Sequence, residues 1–360
     1  MVSTDEGGLP DPVRAVAGPL PAPAMPGTLA IVGRGLDLNV AASRRIRRAS
    51  VYVGLMWLLS AGPIAAVAVA YSARQGGFEW LQGLATGSVE LVPVGAEFEG
   101  LFLVVLTAGF SCLVALSIDA QLLATILVGA EATGRRFDLH EALRLARLRF
   151  WRLVRASVLV GLILLAPRIA ISFFAFRGPA VGSDAQTLVQ TAINIVLSLP
   201  FVYIATGIVL GDVGARESVR RSWMLARARW RLAFLIAIVN AAVGYVASFA
   251  LGAGADILVR LGAVFGLGTT MGPLQVAVLA AIVALAIVSI GSLVMTIAAL
   301  TVGPQVVAFL GLTGYSAGLD AGTSADPARV LRRAPLVARP MKIALAISFV
   351  AAVLAVRSAI

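Results

Sequence analysis

Along this chain, long apolar stretches alternate with short segments in which arginines recur at helical spacing. Apolar runs at about 51–72, 101–122, 155–176, 188–210, 232–253 and 275–298 each reach the about 20 residues that a helix needs to cross a bilayer core. The pattern predicts six membrane-spanning helices. A seventh run, 341–356, is short for a span and reads either as a last crossing or as an interfacial helix. The second run stays apolar through Gly129, past what a crossing requires. The sixth belongs to a longer run, Leu274 to Leu312, which as one helix at about 1.5 Å per residue would be about 60 Å long. It divides into a span and an interfacial or cytosolic continuation after Gly303-Pro304, or into two short spans.

The basic segments join the apolar ones without a gap. In the segment from Asp138 to Pro167, Leu139, Ala142, Leu143, Ala146, Phe150, Leu153 and Val154 share one helical face, while Glu141, Arg144, Arg147, Arg152 and Arg155 spread over the other. This predicts an interfacial helix, about 139–153, lying along the leaflet and feeding a span. A second join, 214–244, places Val219, Trp223, Ala226, Trp230 and Ala233 on one face and predicts another such helix at 216–231. Asp37-Leu38, Asp138-Leu139 and Asp326-Pro327 each open a basic segment leading into an apolar one, and Pro63 and Pro167 fall at comparable points of spans 1 and 3. The arrangement reads as a repeated unit of interfacial helix, span out and span back. The competing explanation is that arginine- and alanine-rich membrane helices all look alike.

Composition agrees with an all-α, polytopic membrane protein of six to seven transmembrane helices with basic interfacial helices. Of 360 residues 59% are hydrophobic and 13% charged, and the mean hydropathy is +0.95, against about 45–50% apolar in soluble domains. Three segments follow. Residues 1–33, with six prolines among Gly, Ala and Ser, predict a disordered cytosolic tail; 34–311 a six-helix membrane domain; 312–360 a basic linker with the last apolar stretch. The tail lacks the basic start and short apolar core of a signal peptide.

The formal net charge is +11, and Lys342 is the only lysine. Of 29 basic residues, 24 fall within 1–50, 131–155, 212–231 and 312–342. That alternation places these segments and the N-terminus in the cytoplasm of a cell membrane, with seven spans leaving Ile360 outside. The charge thus points to bilayer surfaces and anionic phospholipids as partners, and not to nucleic acid, for which a basic groove with interleaved aromatics is missing. Arg144, Arg147, Arg152, Arg220, Arg221 and Arg227 are the candidate lipid contacts.

Chemistry is sparse. His140 is the only histidine and Cys112 the only cysteine, so no histidine triad, two-histidine metal site or disulfide is expected, and no cofactor. Neither a phosphate-binding G-x-x-x-x-G-K-[ST] loop nor a G-x-S-x-G elbow occurs. Polar residues inside spans are the remaining candidates, since charge in hydrocarbon is costly. Arg168 and Asn194 lie about equally deep in spans 3 and 4, so a hairpin would bring them into contact inside the bundle. Asp119 sits near the cytoplasmic end of span 2, and Asn240 enters span 5 from that side.

The segments RGLDLNVAASRRIRRASVYVGLMWLLSAGP, EALRLARLRFWRLV and ESVRRSWMLARARWRL, each a basic helix entering a span, resemble the membrane-domain superfamily associated with glycerophosphoryl diester phosphodiesterases and related six-span bacterial membrane proteins. The resemblance covers about 34–311. It implies a bacterial helical membrane fold. Some members are fused to a catalytic barrel; this chain has none, so the phosphodiesterase activity is not carried over. The expected function is a non-enzymatic accessory or scaffold in envelope or lipid processes of the bacterial cell; the alternative is a small transporter or lipid-translocating protein, for which Pro63, Pro167, Pro200 and Pro304 supply the helix breakers.

Overall fold

A computed structural model describes residues 27–75, 96–177, 183–264, 273–319, 335 and 337–359. These form ten α-helices: α1 (Thr28–Ala41), α2 (Ser43–Gln75), α3 (Ala96–Ala132), α4 (Leu139–Arg177), α5 (Ser183–Ser198), α6 (Ile204–Leu210), α7 (Ala215–Ala228), α8 (Trp230–Val264), α9 (Pro273–Thr313) and α10 (Arg339–Ala359). Two 3₁₀ turns, Leu199–Phe201 and Ala317–Leu319, complete them, and no strand occurs among the described residues. Seven helical segments are long and apolar enough to cross a membrane. The protein is an all-α, multi-pass membrane protein, the arrangement in which every backbone polar group is satisfied within its own helix.

Several helices exceed a bilayer. α3 has 37 residues, α4 39 and α9 41, nearly twice the about 20 that suffice. Their surplus turns meet at the arginine-rich end of the bundle, where α1, α6 and α7 pack among them. The largest apolar core lies there, with Leu123, Leu127, Leu145, Phe150, Ile208, Leu210 and Phe309 all buried. The apolar lengths of the spans point outward instead: Val158, Leu162, Leu165 and Ile169 of α4 are exposed, a surface that lipid would cover.

At the centre α2, α3 and α9 pack on one another, α10 lies along α3 and α2, α4 sits on α3, and α8 pairs with α9 and α5. Between lipid-exposed helices burial of apolar surface gives little drive, so close backbone approach by small residues matters. α9 supplies two such crossings. A Cβ on Gly291 would stand 2.8 Å from the Cα of Gly54 in α2, and one on Gly35 of α1 would stand 2.5 Å from the backbone nitrogen of Pro304.

The structure departs from the sequence expectations in three places, at residues 28–33, at 139–153 and in span 4, and decides two readings left open, the run 274–312 and the last stretch. Residues 28–33, placed in the tail, form the start of α1, anchored by buried Ile31; the proline cluster itself lies outside the described residues. The run 274–312 is one helix that passes through Pro304. The last stretch gains length by starting at Arg339 and packs into the bundle, with Met341 beside Cys112 and Ala355 clustered with Phe98 and Val67, so it counts as a seventh candidate span. Residues 139–153 do not lie along a leaflet: they continue without a break into the span, and their apolar face, Ala142, Leu143, Ala146, Phe150 and Leu153, is protein core. Of the two expected interfacial helices, the one at 216–231 is separated from its span, α7 ending before the non-helical Arg229. Lastly, span 4 is not one helix. Pro63, Pro167 and Pro304 sit inside continuous helices, whereas at Pro200 the chain passes from α5 through a 3₁₀ turn into α6.

The glycine crossing is tested by one substitution at neighbouring sites. Gly35→Ala is expected to cost about 1–3 kcal/mol through overpacking. Gly33→Ala, where a Cβ meets nothing within 4 Å, should be neutral or stabilising by about 0.5–1 kcal/mol. Thermal unfolding of both variants in detergent reads the difference, and equal effects would mean that α1 does not seat on α9.

Candidate functional site

The polar groups gather at the arginine-rich end. α3 carries Asp119 into the interior and α4 runs beside it, so that Arg147 Nη1 donates to Asp119 Oδ1 at 2.5 Å. Both side chains are almost sealed, 4% and 2% exposed. The Arg147 guanidinium also stands 5.8 Å from the centroid of the Phe150 ring, one helical turn on. Arg147 thus sits on the buried side of α4, where its charge is tolerated because Asp119 matches it.

One turn further, Arg149 and Arg152 both pair with Asp212, Arg152 at 2.6 Å. Asp212 occupies the sharp turn between α6 and α7 with φ 49°, the left-handed region that aspartate enters more readily than most residues. Arg149 Nη2 donates to the carbonyl of Gly318 at 3.2 Å, and Arg135 Nη1 to that of Ser316 at 3.0 Å. These contacts fasten residues 316–319 to the head, although the sequence assigned them to a linker. Gly318 is required there, since a Cβ would collide with the backbone of Val209 and Leu210.

The break at Pro200 is repaired by α7. Ser222 Oγ donates to the Pro200 carbonyl at 2.7 Å and accepts from the Tyr203 N–H at 3.1 Å; Ser218 Oγ donates to the Ile204 carbonyl at 2.9 Å. Two serines one turn apart on the buried face of α7 thus satisfy backbone groups that the broken helix releases.

The candidates named from sequence separate accordingly. Asp119, expected near the cytoplasmic end of span 2, is buried and paired with Arg147. Arg147 does not face headgroups, and Arg152 is half-exposed with Asp212 as its partner. Arg144 is half-buried, with its Nε enclosed and unbonded. Arg220 and Arg221 both bind Glu217 on the surface of α7, and Arg227 is exposed. The expected contact between Arg168 and Asn194 inside the bundle is overturned: both side chains are exposed, and among the described residues α5 packs on α8 instead of α4. Asn240 is half-buried and its Oδ1 meets no donor. Sequence reasoning missed Arg149, Asp212, Ser218 and Ser222. Pro200 within an apolar run, and a lone acid before a basic helix, were the available signals.

Chemically this is a clamp. Each buried guanidinium is matched by a carboxylate or carbonyl. Among the described residues no three His, Cys, Asp or Glu side chains converge as a metal site would need. Among the described residues, mainly apolar grooves of about 480 Å³ between α2 and α10 and about 320 Å³ between α3, α4 and α10 accompany one of about 500 Å³ between α1, α3 and α9 that Arg34 and Asp37 help to line.

Two outcomes are expected. Asp119→Leu strands the Arg147 charge and should cost about 3–5 kcal/mol, while the double change Asp119→Leu with Arg147→Met should recover most of it; unfolding midpoints of the four proteins give the coupling. On α7, hydrogen bonds from Arg220 and Arg221 hold the Glu217 carboxyl down to about 2 from an ordinary 4.5. A depressed carboxylate stabilises the folded helix above its ordinary value and loses that effect as pH falls toward 2. Hydrogen exchange in Ala215–Ala228 should therefore differ between the wild type and Glu217→Gln at pH 6 and converge as pH falls from about 4.5 to about 2. Compared with protein-family models, with curated proteins and with solved structures, the chain matches none.

Proposed function

We propose that this multi-pass protein is a non-enzymatic scaffold or accessory protein of the bacterial cell envelope, lying in the cell membrane with its N-terminus and arginine-rich head in the cytoplasm. The observation that carries the reading is the head itself: helices longer than a crossing requires pack together there, and their interior charges are matched, Arg147 with buried Asp119 and Arg149 with half-buried Asp212. Charges held this way build a rigid platform, whereas proton transfer or substrate binding requires groups free to change partner. The resemblance to the membrane-domain superfamily found beside glycerophosphoryl diester phosphodiesterases supports the bacterial assignment. The arginine distribution supports the orientation.

The broken fourth span favours a second reading, a lipid-translocating or small-molecule carrier, because discontinuous helices line the sites of many transporters. Its break is covered by α7 and held by Ser218 and Ser222, which makes a fixed corner of it. Reconstitution into vesicles with a fluorescent phospholipid separates the two readings. A scaffold leaves the probe protected from an impermeant quencher at the rate of empty vesicles; faster bleaching would replace the scaffold by the carrier.

Topology has its own measurement. In a protein with Cys112 replaced by alanine, a cysteine placed within 79–95 should react with an impermeant reagent in intact cells, and one at Arg216 only after lysis. The reverse pattern would turn the head to the outside.

A further inference from the structure

The groove between α3, α4 and α10 differs from the other two in what surrounds it. Its floor is α3, with buried Cys112 and half-buried Ala115; its walls are Trp151 and Val154 of α4 and Met341 and Ala344 of α10. The lining is mainly apolar, and it includes exposed Trp151, a residue type enriched at membrane boundaries. Three basic residues adjoin it: Arg155 follows Val154, Arg339 sits between Ala338 and Pro340, and Lys342 follows Met341. All three are exposed, and none is ion-paired to a described acid. The first turn of α10, a 21-residue helix, starts at the same edge and adds the positive end of its dipole. Of the described acids, Asp119 on α3 is already paired with Arg147 and Asp212 with Arg149 and Arg152. Among the described residues the rim of this mainly apolar slot carries positive charge with no acid paired to it, which is complementary to a molecule with an acyl chain and an anionic head.

We propose that this groove binds one anionic phospholipid of the leaflet at the arginine-rich end, with an acyl chain along Ala115, Val154 and Ala344 and the phosphate held by Arg155, Arg339 and Lys342. The inference goes beyond the scaffold reading above and rests on its placement of the arginine-rich end at the membrane. It also moves the lipid contact away from Arg144 and Arg147, whose helix face is committed to the protein core. The bound lipid would fill the gap between α4 and α10, both of which lean on α3.

The full chain, extracted from vesicles of equal phosphatidylglycerol and phosphatidylcholine, is examined by native mass spectrometry. The wild type should retain phosphatidylglycerol on the order of tenfold over phosphatidylcholine, from several basic groups near one phosphate. Changing Arg155, Arg339 and Lys342 together to Gln should bring the ratio close to one. Ala344→Phe should fill the groove and lower retention of both lipids. Arg220→Gln with Arg227→Gln, on α7, should leave the preference intact, and inorganic phosphate should not displace the lipid. Should the triple variant keep the preference, or the α7 variant lose it, the groove is not the site. Should Ala344→Phe fail to fold, the triple surface variant still decides. An absent lipid preference in a protein that passes the vesicle test as a non-carrier would overturn the groove and leave the scaffold reading standing.

Discussion

The pair of Arg147 and Asp119 is the constraint around which the arginine-rich end is built. A guanidinium withdrawn from water costs several kcal/mol unless a carboxylate faces it at close range, and here 2.5 Å separates the two groups with both almost sealed. Meeting that requirement fixes the rotation of α4 about its axis. Once Arg147 points at α3, Phe150 and Leu153 are carried into the same interface. Arg149 and Arg152 then fall where Asp212 can match them, at the turn that starts α7. α7 in turn supplies the serines that make the break at Pro200 tolerable. A chain of dependence therefore runs from one ion pair through α4, the Asp212 turn and α7 to the broken fourth span.

The two ends of the molecule obey different rules. In the head, helices bury apolar side chains as a soluble domain does, and α6 has no exposed residue. In the spans, lipid is as apolar as leucine, so packing depends on backbone approach, and α9 comes close to α2 at Gly291, where a Cβ would stand 2.8 Å from the Cα of Gly54. One helix serves both regimes along its length. This accounts for its 41 residues better than membrane thickness alone.

The basic side chains meet three fates. Arg147 and Arg149 are interior and matched; Arg220 and Arg221 share Glu217 at the surface, where screening leaves such pairs little energetic weight; Arg155, Arg339 and Lys342 stand beside an apolar groove with no described acid as partner. Spacing cannot separate these fates. Arg144, Arg147 and Arg155 read alike on a helical wheel, although only Arg147 finds a carboxylate on a neighbouring helix.

Hydropathy and charge spacing by themselves determined that the chain is all-helical and multi-pass, because a bilayer leaves the backbone few options and apolar length is a direct measure of crossing. They also located the surplus length of α3 and α9, visible as apolar runs longer than a span. What only the tertiary structure decided is what covers each amphipathic face. Periodicity marks the face of 139–153 equally well for a lipid surface and for a protein core, and an uninterrupted helix packed on α3 settled it as core. Depth along the chain likewise suggested that Arg168 and Asn194 would meet, but a contact needs helices that pack side by side, and α5 packs on α8. The pairing of Arg149 with Asp212 joins residues 63 positions apart, and no local pattern carries that information, because it depends on the turn at Asp212 being brought back over α4.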